Sequence, residues 1–128
     1  MLWRLGILSV AYWVLSGSYE NWQLGLRLGV WGVRERARPL WEKVQPGDTA
    51  VFYAVGRGVL GYGTVREKFE SAEPLWPEEL KAGAVIWPLR LRIQVAETFQ
   101  PPKPRPKGML VAFPINKLSE GVFRELAR

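Results

Sequence analysis

Two tryptophans stand beside chain-turning residues: Trp31 precedes Gly32, and Trp76 precedes Pro77. A tryptophan held by a loop over a cavity shows a flat indole face, and two such faces can sandwich a flat heterocycle. Each base stacked on an aromatic side chain is worth about 1–3 kcal/mol. Asn21 carries an amide whose donor and acceptor lie side by side, as the edge of a nucleobase demands. Its plainer reading is a polar residue at a helix start. Arg34, Arg36 and Arg38 alternate through a segment flanked by Gly32 and Pro39. If that segment is extended, the three point one way and could hold phosphates; otherwise they are ordinary solvated surface.

Reactive groups are scarce. The chain has no His and no Cys, which removes imidazole dyads and triads, thiol nucleophiles, disulfides and Cys/His zinc sites. Asp occurs once, at Asp48, so a magnesium site built from several aspartates is also excluded. Glu78 and Glu79 are adjacent and do not face one another as an acid/base pair in a helix or strand. The segment from Gly56 to Gly61 has the spacing G-x-G-x-x-G, but it joins two expected strands with no helix after it, so a dinucleotide loop fails on context. The expectation is a binding module with no metal and no cofactor.

Length and charge agree. At 128 residues with 48% hydrophobic content, one domain over residues 1–128 with a packed core is expected. The formal net charge is +6, and most of the excess lies in residues 83–128, which hold eight basic and three acidic groups. Such a domain attracts polyanions, of which nucleic acid, RNA or DNA, is the commonest; solubility alone is the plain alternative. Arginine supplies twelve of the 18 basic residues while Asn and Met occur twice each, which hints at a thermophile. Met1–Leu15 imitates a signal peptide, with one Arg ahead of an apolar run, but is too short for a spanning helix of about 20 residues. It is read as a lead-in over residues 1–10 followed by a buried strand, with no membrane partner and a cytoplasmic location.

The elements that must position these residues follow from pattern. A strand is expected over Ala11–Ser16, then a short helix ending at Leu28, with Ser18 as N-cap and Gly29 as its stop. Val30–Val33 reads as extended, and Pro39 opens a helix to about Val44. Thr49–Val55 and Val59–Phe69 form a hairpin, with Gly61 and Gly63 marking a bulge or close backbone approach. Glu70–Gly83 reads as a long loop. Leu89, Leu91, Ile93 and Val95 alternate with Arg90, Arg92 and Gln94, a strand with one buried and one basic face, so Arg90 and Arg92 join the phosphate candidates. Residues 101–107 form a stiff Pro/Lys/Arg-rich connector within the domain, Met109–Phe113 a further strand, and Ser119–Ala127 a terminal helix. Trp3, Trp13, Trp41 and Trp87 lie in elements or just before one and read as core, as does Trp22 on its helix. The sum is an α+β chain of five or six strands and two or three short helices, arranged as a small twisted sheet or barrel.

The order Tyr12-Trp13, Glu20-Asn21-Trp22, Gly29-Val30-Trp31-Gly32-Val33-Arg34, Pro46-Gly47-Asp48 and Gly58-Val59-Leu60-Gly61-Tyr62-Gly63 resembles the EVE domain family of the PUA-like superfamily. The tail from Phe113 to Ser119 is similar as well. The resemblance implies a pseudo-β-barrel of five to six strands with short helices closing its ends. The spacing from Glu20-Asn21 to Gly29-Val30-Trp31 also resembles the YTH domain, a relative that reads N6-methyladenine in RNA. Carried over, it implies that Asn21 contacts a base edge and Trp31 is a stacking wall, with Trp76 as a further cage aromatic. Gly32 stands where YTH domains often have a polar residue, and the base is left open, modified cytosines included.

The preferred expectation is a non-enzymatic reader of a modified or flipped base. Trp31 and Trp76 would sandwich the base; Asn21, with Ser16 and the backbone near Gly32, would read its edge. Arg34, Arg36, Arg38, Arg90 and Arg92 would hold phosphates. Three other readings stay open: a general RNA-binding module, a binder or enzyme acting on a nucleoside-like small molecule, and a protein-interaction domain.

Overall fold

The lone aspartate is a hook. In the computed structural model, which describes residues 10–128, the buried Asp48 carboxylate accepts from the Trp13 indole N–H at 2.8 Å and the Gln45 and Ala11 backbone N–H groups at 2.9 and 3.1 Å. It thereby ties strand β1 (Tyr12–Gly17) to the start of β3 (Thr49–Ala54). Residues 1–9 of the expected lead-in over residues 1–10, and the placement of Trp3 in the core, lie outside the described residues.

Between those strands the local signals act as read. The Ser18 side chain accepts from Asn21 N–H at 3.1 Å and opens helix α1 (Tyr19–Leu28). Gly29, at φ 68°, ends it in the left-handed conformation that glycine adopts without strain. Strand β2 (Val30–Val33) follows at once. A 3-10 turn (Glu35–Ala37) leads into α2 (Arg38–Lys43), with Pro39 in its first turn.

β3 and β4 (Gly58–Glu70) form the hairpin, and β4 pairs with the long β5 (Leu89–Lys103). β4 crosses β5 so closely that a Cβ at Gly61 or Gly63 would collide with the carbonyls of Glu97 and Gln94. Register shifts along both pairings bend the sheet there. β6 (Ile115–Leu118) pairs with β1, and α4 (Glu120–Ala127) closes the chain, with the Ser119 side chain accepting from Val122 N–H. The sheet order is β2-β5-β4-β3-β1-β6, with β1 and β3 parallel and every other pair antiparallel. The result is a curled half-barrel with four short helices, an α+β fold of the expected PUA-like kind.

Three expectations are corrected. Glu70–Gly83 is not a plain loop: it contains α3 (Pro77–Ala82), started by Pro77 at its first turn and ended by Gly83 at φ 66°. Met109–Phe113 is not a strand, because β6 takes the free edge of β1 and leaves that segment no partner. The stiff connector does not begin at Pro101; residues 101–103 still belong to β5, and Lys103 pairs with Val59.

The main core lies on one face of the sheet and includes Trp13, Trp22, Leu15, Phe52, Trp41 and Leu89. A smaller cluster on the other side packs Val14, Val51 and Val59 under α4 through Leu126. Among the described residues no helix is long and apolar enough to cross a membrane.

Candidate functional site

Asn21, in the first turn of α1, and Trp31, on β2, meet at the end of β1, and α3 with its flanking segments folds over them. Between these parts lies a hollow of about 220 Å³. Ser16, Asn21, Trp31, Gly32 and Trp76, the residues expected to touch a base, all line it, together with Trp87, Arg34 and Arg36.

The indoles are not arranged as two opposed plates. Trp22 stacks flat on one face of Trp31, with centroids 3.7 Å apart and planes 3° from parallel. Trp76 meets Trp31 edge to face, at 6.0 Å and 79°. Trp87 meets Trp76 in the same way, at 5.7 Å and 80°. Trp31 and Trp76 are 4% and 1% exposed, so each offers the hollow only a ring edge or part of one face. The expected sandwich between Trp31 and Trp76 is therefore replaced by a three-indole corner, with Trp76 standing across both neighbours. Trp87, read from the sequence as core, is half-buried and lines the hollow. The signal was present: the Trp-Pro pair of Trp76-Pro77 recurs at Trp87-Pro88.

Glycine makes the corner possible. A Cβ on Gly32 would lie 3.0 Å from Trp76 Cζ3 and from Trp87 Cβ. On Gly17 it would collide with Cζ2 of Trp31, whose opposite edge lies against Gly25. The indole N–H groups are also assigned. Trp22 donates to the Tyr53 carbonyl and Trp76 to the Asn21 carbonyl, both at 3.1 Å. Trp31 differs: its Nε1 is buried and has no acceptor among the described residues.

Asn21 thus serves twice through its backbone, capping α1 and holding Trp76, while its side-chain amide has no partner among the described residues. Ser16 donates its backbone N–H to the Pro114 carbonyl at 3.0 Å, which pins that rim. β2 is an edge strand, so half of its backbone groups face away from β5, and Trp31, Gly32 and Val33 line the hollow.

The arginines divide. Arg34 and Arg36 line the hollow and have no carboxylate partner among the described residues; the Arg34 guanidinium lies 5.7 Å from the Trp87 ring centroid. Arg38 does not point with them, because the 3-10 turn breaks the extended alternation. It is taken up by Glu35 and Glu70, and its hydrogen bonds hold both carboxyls below their ordinary range. Arg92 is exposed but engages Glu67 at 2.8 Å.

Arg90 is the clearest correction. It is 4% exposed and lies inside, donating to the carbonyls of Glu73 at 2.8 Å and Trp87 at 3.1 Å and to the Glu79 carboxylate at 3.2 Å. The segment from Glu73 to Trp87 covers the Arg90 end of the β5 face that alternation marked as basic, so Arg90 braces that segment and cannot meet a phosphate. Glu79, fully buried, accepts from the backbone N–H of Leu75, Trp76, Ile86 and Trp87. Burial alone would push its carboxyl up; the four N–H donors outweigh that and hold it below the ordinary glutamate value.

Glu78 is the one carboxylate lining the hollow. Among the described residues no group of three or more acidic side chains gathers as a metal site would require. The hollow can stack, donate hydrogen bonds and attract an anion.

Comparison with known proteins adds the following. The EVE domain profile matches residues 11–107. A UPF0310 protein of Pyrococcus abyssi is 36% identical over 44 residues, a stretch that is 34% of this chain and only 31% of that protein's length. The crystal structure of protein PSPTO5229 from Pseudomonas syringae superposes with a TM-score of 0.59 at 19% identity, over 91% of this chain and 97% of that one. The Toxoplasma CPSF4 YTH domain, solved in complex with a 7-mer m6A-modified RNA, superposes with a TM-score of 0.51 at 15% identity, over 70% of this chain and 62% of that one. At these identities the structural likeness is one of fold.

Proposed function

This chain belongs to the EVE domain family, and from that premise we propose that it is a nucleic-acid-binding module that admits one modified or flipped nucleobase into the tryptophan-lined hollow and holds it without chemical change. One observation carries the reading: Ser16, Asn21, Trp31, Gly32 and Trp76 converge on a single cavity whose rim holds the uncommitted cations Arg34 and Arg36.

Each part has a task. The indoles of Trp31, Trp76 and Trp87 supply stacking and edge contacts, worth about 1–3 kcal/mol per base. The Asn21 amide and the outward backbone of β2 supply donors and acceptors for the base edge. At about 220 Å³ the hollow falls below the roughly 300–1,000 Å³ of drug-sized sites, which suits one planar ring system. Extruding a base costs a few kcal/mol, which stacking and one amide contact together can offset. Arg34 and Arg36 would engage phosphates beside the extruded nucleotide. The fold shared with a YTH domain solved on m6A-modified RNA is consistent with this use of the hollow.

The test is a titration of labelled RNA and DNA oligonucleotides, plain or carrying one N6-methyladenine or 5-methylcytosine. The parent protein is compared with Asn21→Ala and Trp87→Ala. One modified strand is expected to bind at least tenfold tighter than its plain twin, with both variants losing that preference while still melting cooperatively. Equal affinity for all strands would replace base reading with general nucleic-acid binding, and no binding to any strand would overturn the proposal.

A further inference from the structure

Glu79 is fully buried within a segment that carries two indoles of the hollow, and it makes none of the base contacts proposed above. Its two oxygens are divided between the two ends of that segment. Oε1 accepts from Leu75 N–H at 2.7 Å and Trp76 N–H at 3.1 Å. Oε2 accepts from Ile86 N–H at 2.9 Å and Trp87 N–H at 3.0 Å. Each oxygen therefore fastens one tryptophan of the corner by its own backbone. Arg90, from β5, completes the unit: it donates to Glu79 and to the Trp87 carbonyl, and its guanidinium lies 5.2 Å from the Trp76 ring centroid.

Resting on the reading given under the proposed function, we propose that Glu79 is the positioning residue of the base-binding hollow: its carboxylate fixes Trp76 against Trp87 and so sets the opening into which the base enters. Among the described residues no other side chain hydrogen-bonds the backbone of both Trp76 and Trp87. An ionised carboxylate only accepts hydrogen bonds, which is what four converging N–H donors require. The amide of a glutamine has the same shape but turns an NH₂ toward two of them.

The carboxylate is also the titratable centre of the arrangement. Arg90 is the one charged side chain that bonds it among the described residues. Glu73 faces the cluster only through its carbonyl, which Arg90 occupies, and Glu78 and Lys81 of α3 are exposed. Protonating Glu79 places an O–H on one oxygen and removes the negative charge that all four N–H groups face, so both tryptophan attachments weaken together.

The experiment uses the whole chain, labelled with ¹⁵N, as parent and as Glu79→Gln, with oligonucleotide affinity and amide and indole spectra followed from pH 7 to pH 3. In the parent, the amides of Leu75, Trp76, Ile86 and Trp87 are expected to titrate together with one midpoint, and affinity for the preferred modified strand to fall with them. Glu79→Gln is expected to keep the far-ultraviolet dichroism of the parent, to shift the Trp76 and Trp87 signals at pH 7, and to bind that strand at least tenfold more weakly with no acid-dependent step. A folded Glu79→Gln with parental affinity overturns the proposal. Should that variant not fold, the parent's spectra decide: separate midpoints, or no movement while the chain stays folded, overturn it. A parent whose four amides titrate together but which binds no oligonucleotide sinks the base-binding role while leaving the coupling of the two tryptophans to Glu79 intact, so the two failures read differently.

Discussion

Trp22 lies flat on Trp31, ring on ring, with centroids 3.7 Å apart. Trp22 is itself fully buried and anchored through its N–H to the Tyr53 carbonyl. The plane that Trp31 presents to the hollow is therefore set by a residue that never reaches it. Trp22→Ala is expected to destabilise the fold by about 3–5 kcal/mol, the usual cost of emptying a buried tryptophan site. Trp22→Phe keeps most of the apolar volume and is expected to fold, with a smaller loss. Urea denaturation measures both, and a loss below about 1 kcal/mol for the alanine variant would contradict the stack as a structural support.

Gly32 is the gap through which two indoles meet. A methyl group there would lie 3.0 Å from Trp76 Cζ3 and 2.9 Å from the Trp87 carbonyl oxygen. Gly32→Ala is expected to cost about 1–3 kcal/mol, as overpacking does, and to displace Trp87 rather than the better buried Trp76. Thermal melting together with the Trp87 indole signal checks it; a variant with an unshifted Trp87 signal would show that the corner has room to spare.

The arginines should separate in salt. Each phosphate contact to a single strand contributes about 0.7 to the slope of log affinity against log salt. Arg34→Ala and Arg36→Ala are each expected to flatten the slope by roughly that amount. Arg38→Ala should leave it unchanged, because Glu35 and Glu70 already occupy that guanidinium. Affinities measured between 50 and 300 mM salt decide the matter; equal effects from all three positions would mean the basic surface acts only through net charge.

Acid should loosen the molecule through Glu79. Its folded carboxyl lies below the ordinary value of 4.5, despite burial, because backbone N–H groups hold it there. The stabilisation it contributes is thus fully present above pH 4.5 and is lost as the pH falls through the folded value. Glu79→Ala, which leaves Arg90 buried without its carboxylate, is expected to cost roughly 3–5 kcal/mol at pH 7. Melting temperatures from pH 7 to pH 2 should fall steeply at the acid end for the parent and more gently for Glu79→Gln.

Much of this was legible in the chain because the signals were local. Ser18, Gly29, Pro39 and Ser119 each govern a single helix end, and each does so where expected. Asn21 and Trp31 reach the same hollow because the ten-residue α1 and the stop at Gly29 fix the distance between them. What escaped was long-range. Alternation along β5 says which side Arg90 points to, and nothing about the segment that folds back over that side with Glu79 waiting to meet it. Likewise the number of tryptophans and their neighbours do not say which indole stacks on which. Trp22 rather than Trp76 lies parallel to Trp31, because α1 packs along β2 and lays its inward ring there, while α3 delivers Trp76 from the rim.

The placement of β1 between β3 and β6 has a consequence for synthesis. Tyr12 pairs with Leu118 on one side and Thr49 on the other, so β1 is completed by a strand about a hundred residues further along the chain. A nascent chain must carry β1 with one flank bare until β6 has been made, and ladders joining such distant segments form slowly. Shortened versions that stop before Ile115 would leave the same flank open permanently, inviting strand-to-strand association between copies in place of the missing partner.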